Sequence, residues 1–314
     1  MQHMRTKRTS LATVAALLAL TATACGSGTA ASGGEDGIEI GMSISTLNNP
    51  FFVELKKGAE DEAEANKVRL TITDAQDDAS TQANQVQNFI SQNLDTVVIN
   101  PVDSDAARPS VEAADNAGVP VVAADRAVNG AKVATTVASD NVQGGELAAQ
   151  QLAEELGERG KVVVLRGLSG TSASRERGEG FEKGIARFPA IEVVATQPAD
   201  FDRTQGLDVM TNLLQAHPDV TGVFAENDEM ALGALQALGD RAGSSVTVIG
   251  FDGTADGLKA VQQGTMAATI AQQPDELGRM SVRNAVRVAR SEEVDTEIKV
   301  PVKVVTEENV KTFL

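Results

Sequence analysis

From Ile38 onward, short runs rich in β-branched residues alternate with stretches of about 10 to 16 residues whose apolar positions recur every three or four places. The short runs predict strands near 38–44, 68–73, 96–99, 119–123, 133–137, 161–165, 191–197, 221–225, 246–250, 267–271 and 298–305. Strands separated by helices are the signature of βα units and a parallel sheet. These runs outnumber the eight strands of a closed β/α barrel. They are also too many for one compact doubly wound sheet, so the pattern predicts two Rossmann-like α/β lobes.

The first helix is well signalled. In "SISTLNNPFF", Ser43 to Phe52, Asn49 can accept as N-cap and Pro50 suits the first helical position. Phe52, Leu55, Ala59 and Ala63 then recur along one face, which makes Phe52 a core residue as well. Phe51 falls about 100° further round, off that stripe. Its ring either packs on the preceding loop or faces a ligand. The chain has nine Phe and no Trp or Tyr, so phenyl rings must supply most of its aromatic surface.

Composition narrows the picture. A hydrophobic content of 42% in 314 residues is that of a globular protein. With 27 Lys+Arg against 44 Asp+Glu the net charge is −17, which repels a phosphate backbone and makes nucleic acid an unsuitable partner. Residues 1–24 read as a signal peptide: Arg5, Lys7 and Arg8 precede the apolar run Leu11 to Leu20, too short to span a bilayer. It ends in "TATACGSG", similar to a bacterial lipobox, although Ala22 stands where leucine is usual. Cys25, the single cysteine, is the expected lipidation site, and residues 25–36 the flexible tether. Removal of the leader leaves 24 basic and 44 acidic residues, a net charge of −20.

In open α/β sheets, ligands bind beyond the carboxyl ends of the strands. The residues found there are Asn49, Phe51 and Phe52; Asp125 and Arg126; Arg177; Phe201; Asn227; Asp252; and Gln272. A sugar offers hydroxyls that donate and accept, plus C–H patches on its ring faces. Asp accepts, Arg donates as a fork, Asn and Gln do both, and phenyl rings cover the C–H faces. Two Asp and two Arg sum to zero, which suits a neutral polyol better than a sugar phosphate. Taken singly, Asp or Asn after a strand is a helix cap, Arg177 a partner of Glu176 and Glu179, and Phe201 a core residue. Caps, however, have no reason to select Arg, Phe and Gln together.

Other chemistries lack their residues. Once the leader is removed, His217 is the only histidine, and it sits at a predicted helix end, so His-based triads and zinc sites are excluded. "GLSG" is not a nucleophile elbow, no Walker A motif occurs, and "GEGFEKG" has Rossmann-like glycines at the wrong spacing. "DFDRTQGLDVMT" lacks the glycine and glutamate of a calcium loop. No metal or cofactor is expected. Asp125 and Asp252 could pose as a catalytic pair, but neighbouring arginines would keep both ionised and leave no general acid. The expectation is a binding protein, not an enzyme. A repressor core would need an N-terminal reading head, where this chain carries a leader.

The motifs "STLNNPFF", "INPVDSDA", "ASDNVQGG", "GTSASRERGEGF", "QPADFDR", "AHPDV", "NDEMALGAL", "GFDGT" and "AATIAQ" occur in order and nearly contiguously. Together they resemble the D-ribose-binding proteins of bacterial ABC importers, within the type I periplasmic binding proteins, from about residue 38 to the last strand. The resemblance implies three chain crossings between an N-terminal lobe, 37–139 with 273–301, and a C-terminal lobe, 140–272 with 302–314. It places the sugar-binding positions on the ten residues named above. It also implies a monomer at the cell envelope, lipid-anchored to the outer face of the cytoplasmic membrane or periplasmic, that delivers D-ribose to a permease and ATPase. Allose, another pentose or a ribose-like furanose are the alternative ligands. The departures, "ADRAVNG", an insertion near "ARFPAIEV" and a longer "EENVKTFL" end, leave these positions untouched.

Overall fold

The computed structural model describes residues 37–314. Cys25, the leader and the tether lie outside the described residues. Two six-stranded sheets organise the fold. In chain order the elements are β1 (Glu39–Ile44), α1 (Pro50–Asn66), β2 (Arg69–Asp74), α2 (Ala79–Ser91), β3 (Thr96–Ile99), α3 (Arg108–Asn116), β4 (Val121–Ala124) and β5 (Thr135–Ser139). There follow α4 (Asn141–Glu155), β6 (Gly160–Arg166), α5 (Ser172–Ile185), β7 (Ile191–Pro198), α6 (Arg203–Ala216), β8 (Gly222–Ala225) and α7 (Asp228–Leu238). The last are β9 (Thr247–Asp252), α8 (Ala255–Gln262), β10 (Ala268–Ala271), α9 (Pro274–Ala289), β11 (Glu297–Val300) and β12 (Lys303–Thr306).

The first sheet runs β11-β5-β4-β3-β1-β2 and the second β12-β10-β9-β8-β6-β7. The two orders are the same, so each strand has a counterpart in the other lobe. Central strands such as "TVVI", "VVAA", "GVFA" and "ATIA" are buried along their whole length because helices cover both faces. The edge strands β2, β7, β11 and β12 carry mostly exposed or part-exposed residues. Each sheet has a hydrophobic core on either face.

The sequence run 298–305, expected as one strand, is two. Pro301 has no N–H to extend a ladder, and the chain changes sheets there: β11 pairs parallel with β5, whereas β12 pairs antiparallel with β10. The chain passes between sheets at two further places, from β5 to α4 and from β10 to α9. Asp140 N–H donates to Val300 O at 3.0 Å, and Gln273 Nε2 to Pro301 O at 2.8 Å, so the three crossings are tied side by side.

Paired glycines bring helices into backbone contact. A Cβ at Gly145 on α4 would fall 2.1 Å from Arg177 O on α5, and one at Gly180 on α5 would fall 2.1 Å from Val142 O on α4. Neither backbone can retreat without shifting the helix that carries Arg177. Gly180→Ala is expected to cost about 1–3 kcal/mol of stability through overpacking, measured by urea unfolding. The exposed neighbour Glu179→Ala should stay within about 0.5 kcal/mol. Equal stability of the two variants would contradict the close contact.

Candidate functional site

All ten residues expected at strand ends, together with Ala173, line one narrow cavity between the two sheets, with a volume of ≈ 20 Å³. Five of the ten follow strands of the first sheet and five follow strands of the second. Asn49 caps α1: its Oδ1 accepts from Phe51 N–H at 2.9 Å, which leaves its amide nitrogen for other partners. Asn227 does the same for α7, accepting from Met230 N–H at 2.9 Å while its Nδ2 donates to Phe201 O at 3.1 Å. Capping and lining are therefore one role, because a cap at a strand end faces the cavity by construction.

Phe51 lines the cavity, one of its two expected readings, and is a core residue as well. It is as buried as Phe52, both 4% exposed, and both belong to the first lobe's core. The rings meet edge to face, with centroids 5.1 Å apart and planes at 88°. The helical stripe missed this because the first turn of α1 is covered by the facing lobe as well as by its own sheet.

Aromatic rings and guanidiniums alternate across the cleft. Arg126 lies 5.1 Å from the Phe52 ring centroid and 5.7 Å from that of Phe201; Arg177 lies 5.7 Å from Phe201 and 3.9 Å from Phe251. Each arginine is anchored behind the cavity. Arg126 Nη1 donates to Pro101 O at 2.8 Å, Arg177 Nε to Asn141 Oδ1 at 2.9 Å and Arg177 Nη1 to Glu226 O at 2.6 Å. Asp125 Oδ2 sits 3.7 Å from Arg126 Nε, and Asp252 Oδ1 3.4 Å from Arg177 Nη1. Gln272 Nε2 donates to Asp252 Oδ1 at 2.7 Å. Two buried atoms of the lining, the donor Arg126 Nε and the acceptor Gln272 Oε1, have no hydrogen-bond partner. Such groups are costly unless a ligand satisfies them.

The backbone pays a conformational cost here too. Asp125, Phe201 and Asp252 have φ of 64°, 62° and 122°, in a region that bulky side chains rarely occupy. Gly167 makes room for the ring of Phe201: a Cβ there would fall 2.0 Å from the ring's Cζ. On one flank the lobes bond directly. Ser104 N–H donates to Gly170 O at 2.9 Å, Ser172 N–H to Ser104 Oγ at 3.0 Å, and Ala127 N–H to Ser172 Oγ at 2.9 Å.

The arginines beside Asp125 and Asp252 favour their ionised forms, as expected, but burial works against them. Burial pushes both carboxyls up, and Arg126 and Arg177 oppose the shift without cancelling it. Burial likewise lowers Arg126, against the pull of Asp125. Sequence reasoning also missed Ala173, which carries no chemical signal, and the supporting groups Asn141, Glu226, Asp228 and Phe251. Among the described residues no cluster of His, Cys, Asp and Glu could hold a metal.

Two carboxyls behind the lining add to the pH response. Burial raises Glu226 to about 7 and Asp228 to about 6. A carboxyl raised on folding contributes stability that is full below its unfolded value near 4 and is lost as pH rises through the folded value. The ligand-free protein should therefore melt at higher temperature near pH 5 than at pH 8, in scanning calorimetry at constant ionic strength. A melting temperature that falls on acidification across that window would show that both groups ionise freely in the fold.

A model of the periplasmic binding protein domain matches residues 40–293. The ribose import binding protein of Bacillus subtilis (strain 168) is 48% identical over 276 residues, 88% of this chain and 90% of the relative. A solved ABC transporter solute binding protein from Bacillus halodurans C-125, with bound myo-inositol, superposes with a TM-score of 0.85 at 34% identity, over 90% of this chain and 99% of that one. One from Actinobacillus succinogenes 130z, with bound D-allose, superposes with a TM-score of 0.83 at 33% identity, over 88% and 99%.

Proposed function

The chain belongs to the periplasmic binding protein family, and from that membership we propose that it is the substrate-binding component of an ABC sugar importer, with D-ribose as its ligand. The observation that carries the reading is the lining itself. Paired carboxylates and guanidiniums, three amides and three phenyl rings surround a small cavity, and one donor and one acceptor in it lack partners. A ring sugar supplies what is missing: hydroxyls for Arg126 Nε and Gln272 Oε1, hydroxyl protons for Asp125 and Asp252, and C–H faces for the rings. The likeness to ribose import binding proteins favours ribose among sugars.

In this reading the lobes comprise 37–139 with 273–301 and 140–272 with 302–314, and the sugar biases a hinge equilibrium. Each lobe holds half of the contacts, so the full set exists only in the closed form. Hydrogen bonds to charged groups contribute about 1.5–3 kcal/mol each, and a site built around hydroxyls rejects analogues that lack them. The closed monomer is what a permease and its ATPase would recognise. The protein performs no chemistry on the sugar. Calorimetric titration is expected to give one ribose per chain, and ribose should raise the melting temperature. Absence of heat and of a thermal shift at millimolar ribose would sink the assignment.

D-Allose is the second reading, favoured by the fold shared with the allose-bound protein. Competition of allose, myo-inositol and other pentoses against labelled ribose ranks them directly.

We also propose that Cys25 carries a lipid anchor that holds the protein at the cell envelope, on the strength of the leader and "TATACGSG" before the tether. Full-length protein should sediment with membranes and Cys25→Ala should not. Equal partition of the two would leave an unanchored secreted protein.

A further inference from the structure

Because the two sheets share one strand order, each strand end has a counterpart in the other lobe. Asn100 follows β3 and Glu226 follows β8; both are fully buried and neither lines the cavity. Asn100 Oδ1 accepts from Ser45 N–H, just past β1, at 3.0 Å. Its Nδ2 donates to Ala124 O at 3.1 Å and reaches Asp125 Oδ2 at 3.4 Å. One amide thus ties together the ends of β1, β3 and β4 beneath the first lobe's lining.

Glu226 makes the corresponding contact in the second lobe. Its Oε2 accepts from Gly167 N–H, just past β6, at 2.8 Å, and from the Ser174 hydroxyl at 2.5 Å. Its Oε1 lies 2.6 Å from Arg166 Nε. Each tie leads to a lining residue. The Gly167 backbone is the seat of the Phe201 ring, Ser174 is one turn before Arg177 on α5, and Asn227 is the next residue in the chain. The main-chain carbonyl of Glu226 takes Arg177 Nη1.

We propose that Glu226 is the positioning residue for the second lobe's half of the sugar site, and that it acts as a buried hydrogen-bond acceptor rather than as a charge, as Asn100 does in the first lobe. The inference rests on the ribose reading above. Arg166 and Arg177 are the cations that face the carboxyl, and Arg166 is shared with the exposed Glu182 at 3.4 Å. Burial nonetheless raises Glu226 to about 7. The two bonds that lead to the lining, from Gly167 N–H and the Ser174 hydroxyl, both end on Oε2, while Arg166 meets Oε1. A neutral amide should serve the same purpose once Arg166 no longer needs a counter-charge.

The test compares ribose affinity by calorimetry in the wild type, Glu226→Leu, Glu226→Ala and Arg166→Gln/Glu226→Gln, each checked for native circular dichroism and its sugar-free melting temperature. Glu226→Leu leaves the buried Gly167 N–H without a partner and is expected to weaken ribose binding about tenfold or more. Glu226→Ala, which leaves room for a water, serves if the leucine variant does not fold, with a loss in the same direction. The double glutamine variant should bind within about threefold of the wild type and melt no lower at pH 8. A folded Glu226→Leu or Glu226→Ala with wild-type affinity overturns the positioning role. A double variant as weak as the single ones overturns the acceptor role, since the charge would then be what matters. If the wild type itself does not bind ribose, the function reading falls and this inference with it; if only the variants behave otherwise, the inference falls alone.

Discussion

Two buried arginines are the constraint around which the centre of this protein is arranged. Arg126 and Arg177 reach the cavity from opposite lobes, and each is almost wholly removed from water. A guanidinium is less strongly hydrated than an ammonium and can be buried when its edge finds acceptors and its faces find rings. Here backbone carbonyls and Asn141 take the edges, while Phe52, Phe201 and Phe251 take the faces. Phe201 is common to both arginines, so the ladder closes only when the lobes approach.

The repeated sheet explains how so many groups converge. Parallel strands end on one side, and the helix that follows each starts with a cap aimed at the same space. Repeating that arrangement in two lobes brings two sets of strand ends face to face. The two lobes meet the requirement differently. The first supplies donors to its aspartate from the Asn100 amide, whereas the second supplies them from Arg177 and Gln272 and holds the arginine in place through Glu226. The same architecture therefore tolerates a neutral or an ionisable support at equivalent strand ends.

Much of this was legible in the chain. Continuous apolar runs marked the central strands, and "NNPFF" marked a capped helix whose cap faces the cavity. The strand-end rule gathered ten of the eleven lining residues. What stayed hidden depends on partners that lie far away in sequence. The run 298–305 is β-branched apart from Lys299, Pro301 and Lys303, and nothing local says that its two halves pair in different sheets. Phe51 seemed to lie off the helical stripe because the stripe describes packing on one sheet only. Glu226 sits beside Asn227 in "AEND", yet its role comes from contacts with Gly167 and Ser174, more than fifty residues earlier.

The carboxyls show why such a cavity is built at the expense of stability. Asp125, Asp252, Glu226 and Asp228 are all raised by burial, so each resists ionisation in the fold. A protein selected for stability alone would replace them, since paired or neutral apolar groups are cheaper to bury. Their retention makes sense if a ligand repays Asp125 and Asp252 with hydroxyl donors. The unpartnered Arg126 Nε and Gln272 Oε1 point the same way, as does the positive φ of three lining residues. Desolvation, positive φ and missing partners all occur in the lining where the two lobes meet. A molecule that brings hydroxyls to these groups gains affinity from each partner that it restores, and in the reading proposed above that gain is what favours closure.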